Sequence, residues 1–444
     1  MKPVAGLKTP LHRSDWTTSR LKFLLERKSR PLREDDWVVT AFRDGVVTLR
    51  ANRREDGFTF AEKEIGYQGV EPGDLVIHAM DGFAGAIGVS DSRGKCSPVC
   101  TIIVPRPEMP VHTRYWGYYL RNLAITGFIE SLAKGIRERS TDFRWKDAGN
   151  LLVNYPDLPT QRRIADFLDR ETARIDLLIE KKQRLVALQS ERHQSTLQRL
   201  VLGGARISRT AGRDWIEALP SEWQIFPLKH LVSVYGGATP SKDREDYWQG
   251  EVPWVSPKDM KQDLLDSASH YISEAALMNS PLVMVPEDSV LIVVRGMILA
   301  RNVPICRLNM PATINQDMKA LVARTTKITP KYLQAMMQGF QSVLMSFVEE
   351  AAHGTKKLRS DQLFSLKFPV PPLEVQASIV NTLSAALNQM ERSNMLVDQS
   401  LDRLREYRAA LITAAVTGQI DVDSHTRSGA TDRRLDSIQE ELGA

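Results

Sequence analysis

The sequence predicts a mixed α/β chain in which two globules alternate with two long helices. Three observations carry that prediction. The first is an internal repeat: Gln161, Ile164, Leu168 and Gly203 recur as Gln376, Ile379, Leu383 and Gly418, each pair 215 positions apart without a gap. The second is seven-residue spacing of apolar residues within both repeated stretches. The third is that the regions between them mix short apolar runs with turn-forming residues. A period of this size far exceeds that of solenoid repeats and reads as a domain duplication.

The chain of 444 residues is longer than one ordinary domain. With 42% hydrophobic and 25% charged residues its composition is globular. It has no apolar run of the ~18 residues that a membrane span requires. The opening Met1-Lys2-Pro3-Val4 carries no apolar signal core, so a cytoplasmic location is expected. Three cysteines, Cys96, Cys100 and Cys306, are too few for a disulfide framework. Cys96 and Cys100 lack a second Cys or His pair nearby and read as small packed residues, so no metal site is expected. A net charge of +5 with pI near 9.0 is compatible with a nucleic-acid partner without requiring one.

The first globule spans residues 1–155. Asp74-Leu75-Val76-Ile77 reads as a buried strand, and residues 117–134 as a helix. Gly135-Ile136-Arg137-Glu138-Arg139 follows as a basic segment, with Arg137 and Arg139 as candidate nucleic-acid contacts. The first long helix occupies 156–205. Ile179, Val186, His193 and Leu200 form one seven-residue row, and Leu178 and Leu185 another. About 40 residues at ~1.5 Å rise give roughly 60 Å of helix.

The second globule covers 206–368. Gly236-Gly237-Ala238-Thr239-Pro240-Ser241-Lys242 is a turn-rich loop leading to Tyr247-Trp248 and Pro253-Trp254-Val255-Ser256-Pro257-Lys258. Its lysines, hydroxyls and free backbone N–H groups suit phosphates and base edges, and Trp254 suits the core. Val290–Val294 reads as a buried strand ending at Arg295-Gly296, where the arginine either projects to a ligand or pairs with a carboxylate. Residues 330–350 read as a helix preceding Gly354-Thr355-Lys356-Lys357-Leu358-Arg359. That cluster recurs at the place of Gly135–Arg139, which points to one polyanion shared by both globules. Lys242, Lys258, Arg295, Lys356, Lys357 and Arg359 are the candidate DNA contacts here.

The second long helix occupies 369–420. Met390, Val397, Leu404 and Leu411 repeat every seven residues beside a row containing Asn394 and Leu401, which makes a pairing seam. Both helices stop at a glycine, suited to a C-cap. His193 and Asn394 read as register-setting polar residues in the seam. Residues 421–444 read as a polar, mobile tail.

Catalytic signatures are missing from this pattern. Pro371-Pro372 follows Val370 rather than the Asn or Asp of an amino-methyltransferase motif, and no phosphate-binding Gly-Lys-Ser/Thr loop is present. A nuclease or methyltransferase would predict turnover or S-adenosylmethionine binding by the chain alone. A purely structural scaffold would predict no sequence-dependent DNA binding.

The chain resembles the specificity subunits of Type I restriction–modification systems. The similarity runs through the Gly-Gly-Ala-Thr-Pro-Ser loop, Pro253–Met260, Val293–Met297, Asn315-Gln316-Asp317, Gly354–Arg359, Phe368–Glu374, Leu202-Gly203 and Thr417-Gly418. The first globule lacks the Gly-Gly-Ala-Thr-Pro and Pro-Trp-Val-Ser motifs. It resembles another variety of recognition domain around Tyr67-Gln68-Gly69 and Met80–Ala86. The resemblance implies two α/β target-recognition domains separated by two long antiparallel coiled-coil helices with pseudo-twofold symmetry. It further implies a non-catalytic subunit that reads a bipartite, asymmetric site on double-stranded DNA. Two methylation subunits using S-adenosylmethionine, and motor–nuclease restriction subunits using ATP and Mg, are the implied partners. The chain itself is expected to hold no cofactor. A related restriction class, whose nuclease and methylase share one partner chain, fits the same motifs.

Overall fold

The computed structural model describes residues 13–53, 65–132, 143–204, 206–207, 216–217, 219–351 and 354–440. The chain divides into two compact units. The first comprises Met1–Gln183 with Leu396–Ala444, and the second Arg184–Met395, so the boundary falls inside both long helices.

The sheet of the first unit is antiparallel, with strands in the order Leu25–Lys28, Cys100–Pro105, Leu75–His78, Ile87–Val89. The helix Thr113–Ile125 lies on it and buries Tyr115, Trp116 and Leu120 against Leu75, Ile77 and Ile103. The other sheet face carries Val76 and Ile102, which pack with Val39, Val47, Val70, Cys96 and Cys100 in a second small core. The alternation in Leu75-Val76-Ile77 thus serves two cores, which is why all three residues are apolar.

The second unit repeats the same strand order with one addition. Val232–Gly236, Met318–Ala323, Val290–Val293 and Ile305–Leu308 are antiparallel neighbours, and Leu264–Leu265 adds in parallel. The helix Pro330–Gly339, capped by Thr329 Oγ1, covers this sheet with Tyr332, Leu333 and Met336. A separate three-stranded sheet, His270–Ile272, Val252–Val255 and Thr313–Ile314, borders a small core of Tyr247, Trp254, Ile272, Ala276 and Leu282.

The two long helices, Leu158–Val201 and Leu373–Val416, begin and end on matching fittings. Before each, a strand pairs antiparallel with the start of its globule: Leu152–Tyr155 with Thr17–Arg20, and Lys367–Val370 with Gln224–Pro227. Gln161 Nε2 donates to the carbonyls of Pro156 (2.9 Å) and Pro110 (3.2 Å), while its Oε1 accepts from His112 N–H. Gln376 makes the same three bonds, to Pro371 O (2.9 Å), Lys327 O (2.9 Å) and Thr329 N–H (2.9 Å). At the far ends, Tyr115 Oη donates to Val416 O and Tyr332 Oη to Val201 O. Gly203 and Gly418 then turn the chain at φ 61° and 68°. A Cβ there would lie 3.0 Å from Trp223 and 2.6 Å from Trp16, so the left-handed turn and the close ring both require glycine.

Within the second unit the helices run antiparallel. Gln189 Nε2 donates to Ser393 Oγ (2.9 Å), while His193 and Leu197 line one pocket with Leu383 and Leu387. Within the first unit Arg408 pairs with Asp176 (2.9 Å), and Leu404 and Leu411 join Ile175 in the core. Val397 and Leu401 are buried, whereas Ile179, Val186, Leu200 and Met390 are half-buried. Leu185, expected in the seam, is exposed. The first helix's seam is narrower than its sequence rows suggest.

Three other expectations change. The helix expected over 117–134 starts at Thr113 and breaks at Gly127, whose φ of 77° ends it before a short turn at Phe128–Ser131. Its residues 133–134 lie outside the described residues. The helix expected over 330–350 ends at Gly339. There a Cβ would clash with Val201, and Val348–Glu350 instead pairs as a strand with Lys356–Leu358. The tail is not a mobile extension through residue 440. It forms helices Val422–Arg427 and Ala430–Glu440, because Val422, Leu435 and Ile438 bury against the first unit's core and Asp432 meets Arg174 at 2.5 Å. No helix among the described residues is long and apolar enough to cross a membrane.

Candidate nucleic-acid interface

The strand Val290–Val293 is wholly buried and delivers Arg295 to its exposed end. Two backbone segments clasp that end. Val294 and Arg295 N–H both donate to Asp317 O (2.8 and 3.2 Å), and Gly296 N–H donates to Lys356 O (2.9 Å). Arg295 bridges Lys357 in antiparallel register. The separate sequence stretches Asn315–Asp317, Arg295-Gly296 and Lys356-Lys357 are therefore neighbours.

A cavity of about 560 Å³ adjoins them, lined by Lys242, Trp248, Trp254, Lys258, His270 and Asn315 among others. Its wall depends on the Gly-Gly loop. A Cβ on Gly237 would sit 2.2 Å from Ile314 O and 2.1 Å from Asn315 O, so only glycine lets the loop lie on that strand. Indole N–H groups fasten the loop, Trp254 Nε1 to Ala238 O (2.9 Å) and Trp248 Nε1 to Ser241 O (3.0 Å). The two indoles meet edge to face at 5.1 Å. Trp254 is thus mainly a buried support, as its residue type suggested. Asp259 organises the next turn. Burial alone would raise its pKa, but bonds from Ser256 N–H, Ser256 Oγ and Ser269 N–H hold the carboxylate below its ordinary range.

The candidate cations differ in availability. Lys242, Lys258, Arg295 and Lys357 are exposed, and no carboxylate among the described residues pairs with them. For Arg295, this leaves the guanidinium open to a ligand. Lys356 pairs with Glu350 (2.7 Å) and Arg359 with Asp361 (3.0 Å), so both reach a polyanion only by exchanging partners. Glu349 and Glu350 stand opposite Lys357 and Lys356 in the hairpin, which part-neutralises the cluster.

In the first unit, Arg137 and Arg139 lie outside the described residues. The equivalent end of its sheet carries a cavity of about 600 Å³ lined by Arg43, Arg50, Arg53, His78, Asp81 and Ser97, among others. His78 ends its strand and Asp81 follows it, much as Arg295 follows Val290–Val293. Ser97 precedes Cys100–Pro105 much as Asn315–Asp317 precedes Met318–Ala323. Arg43 pairs with Asp81 (2.7 Å), and Arg53 pairs with Asp44 (2.5 Å) while lying over Phe42 at 4.8 Å. Burial lowers the His78 pKa against the opposing pull of Asp81, and Nδ1 accepts the Asp81 N–H (3.0 Å), so the ring is neutral there. The sequence reading missed these arginines. The signal available was Asp44-Gly45, a hairpin turn between Val39–Ala41 and Val47–Leu49. The Met80–Ala86 stretch noted in the sequence borders the same cavity through Asp81.

The model of the Type I restriction modification DNA specificity domain matches residues 220–396. The specificity subunit of the Type I restriction enzyme EcoR124I/EcoR124II of Escherichia coli is 38% identical over 163 residues, 36% of this chain and 40% of that one. The MjaIX specificity subunit of Methanocaldococcus jannaschii is 26% identical over 179 residues, 38% of this chain and 39% of that one. These matches span about two fifths of each relative's length. A chain from a structure described as the basis of complex assembly and conformational transition of the type I R-M system superposes with TM-score 0.65. It covers 93% of this chain and all of that one at 17% identity, a likeness of fold. The resemblance read from the sequence is borne out: the chain is similar to Type I specificity subunits in sequence and in mixed α/β fold with long helices. The description of the matching domain names DNA specificity.

Proposed function

We propose that this chain is the DNA-reading, non-catalytic subunit of a Type I restriction–modification complex, with one reading surface per unit. The observation that carries this reading is the duplicated sheet end. In each unit, the strand end next to the loop entering the Cys100–Pro105 or Met318–Ala323 strand opens on a cavity of 560–600 Å³ lined by cations. The linings differ, Arg43, Arg50 and Arg53 against Lys242 and Lys258 with Arg295 and Lys357 beside them. Unlike readers on a repeated frame fit an asymmetric target in two parts. Base edges in the major groove take Arg and Lys, and phosphates take the remaining cations. Under this proposal the two long helices set the unread gap. Two methylation subunits carrying S-adenosylmethionine dock on the scaffold, and restriction subunits supply ATP- and Mg-dependent motor and nuclease activity.

Fluorescence anisotropy with duplexes bearing the target tests the reading. Arg295→Ala weakens binding by about 1–3 kcal/mol and relaxes preference in one half-site only. Arg43→Ala does so in the other half-site. Equal loss on every duplex from both substitutions would reduce these residues to phosphate contacts. No loss from either would remove the two cavities as readers.

A further inference from the structure

A turn at the sheet end of each unit carries an exposed methionine. In the second unit Met297 is 65% exposed, and its neighbour Ile298 is 39% exposed. They open the short turn Met297–Ala300, which follows the strand Val290–Val293 and Arg295-Gly296. In the first unit Met80 is 46% exposed between the strand Leu75–His78 and the short turn Gly82–Ala84. A single exposed apolar residue is ordinary on a protein surface. Two adjacent ones on a fixed turn beside unpaired cations call for a contact.

The turn at Met297 is firmly rooted. Gly296 adopts φ 129°, a conformation that glycine alone takes readily, and its N–H donates to Lys356 O (2.9 Å). Leu299 N–H closes the turn on Gly296 O (3.2 Å), and the Leu299 side chain is fully buried in the core of the unit. The backbone therefore fixes where Met297 and Ile298 stand, while their side chains meet solvent. Arg295, two residues earlier, bridges Lys357 in the neighbouring hairpin. Both cations are exposed, and no carboxylate among the described residues pairs with either. An apolar tip among open cations suits a polyanion that also offers an apolar group.

We infer that Met297, backed by Ile298, is a specificity-determining contact to the 5-methyl group of one thymine in the half-site read by the second unit. The inference rests on the proposed reading surface at this sheet end. Thymine's methyl is the one apolar group that base pairs present on their major-groove edges. The other edge groups are hydrogen-bond donors and acceptors, which suit Arg295, Lys242 and Lys258 but not a thioether. Methionine is unbranched and polarizable, so it packs on a methyl without needing a fixed hydrogen-bond geometry. The cations beside the tip favour DNA over an apolar protein surface, which would bury Arg295 and Lys357 without partners.

The test measures binding of the full-length chain, with its methylation subunit present, to duplexes of the mapped target in which each thymine in turn is replaced by deoxyuridine. The exchange removes one methyl group and keeps every hydrogen-bonding group. At one thymine, in the half-site whose preference Arg295→Ala relaxes, it weakens wild-type binding about fourfold, the transfer of one methyl from water. Met297→Ala binds the thymine and deoxyuridine duplexes alike, whereas Met297→Leu keeps most of the difference. Wild-type binding indifferent to deoxyuridine at every position overturns the inference while leaving the proposed function intact. A deoxyuridine effect that Met297→Ala preserves also overturns it; weaker binding of that variant to every duplex would then mark an apolar wedge between base pairs instead. A wild-type chain that binds no duplex of the target removes the proposed reading surface itself.

Discussion

Gln161 and Gln376 are fully buried amides, each satisfied by two backbone carbonyls and one backbone N–H. Replacing either by alanine strands those groups in the core, so Gln161→Ala and Gln376→Ala each cost about 3 kcal/mol. Urea denaturation measures this as a lower midpoint with an unchanged slope. His78 supplies a pH dependence. Its pKa is lowered in the folded chain, so the unfolded chain binds the proton more readily. The stability it contributes is complete above the ordinary value of 6.5 and falls as pH drops below it. His78→Gln flattens that acid limb, read by thermal melts from pH 7 to pH 5. Lys357, exposed and without a carboxylate partner, acts on charge. Lys357→Ala lowers the salt slope of DNA binding by about one while leaving sequence preference intact.

At the scale of elements, the long helices were the legible part. A gapless repeat, heptad rows and terminal glycines are local signals, and the helices Leu158–Val201 and Leu373–Val416 fall where those signals lie. The strands Leu75–His78 and Val290–Val293 were legible as apolar runs, because each is buried on both faces. Their neighbours were not, since a strand such as Cys100–Pro105 is chosen by partners distant in sequence. Among the candidate site residues, Arg295, Lys357, Lys242 and Lys258 stand out in the sequence because glycine and proline mark their turns. Arg43, Arg50 and Arg53 were missed because their cavity forms only when a short hairpin folds over the His78–Asp81 turn. The tail was misread because its apolar residues, Val422, Leu435 and Ile438, are sparse among charges and make sense only against a neighbour. Removing residues 421–444 exposes the core beneath them and costs roughly 3–6 kcal/mol by buried-area reasoning, seen as a lower melting temperature.

The whole molecule is a duplicated design whose two cavities carry unlike linings. Each unit clasps the start of one long helix with a glutamine and the end of the other with a tyrosine and a glycine against tryptophan. Under the proposed function, repetition of the frame gives one chain two readers, and divergence of the cavities gives them different bases to read. In that proposal the helices act as the spacer. Removing matched turns from both changes the gap in the target and leaves both half-sites as they were.

The central claim is that two readers define one split target. It is tested most directly by single-molecule methylation mapping of DNA from cells expressing the chain with its methylation subunit. The account predicts adenine methylation at an asymmetric motif of two short parts around an unread gap, lost when the chain is deleted. A contiguous motif, or methylation indifferent to the chain, would contradict it.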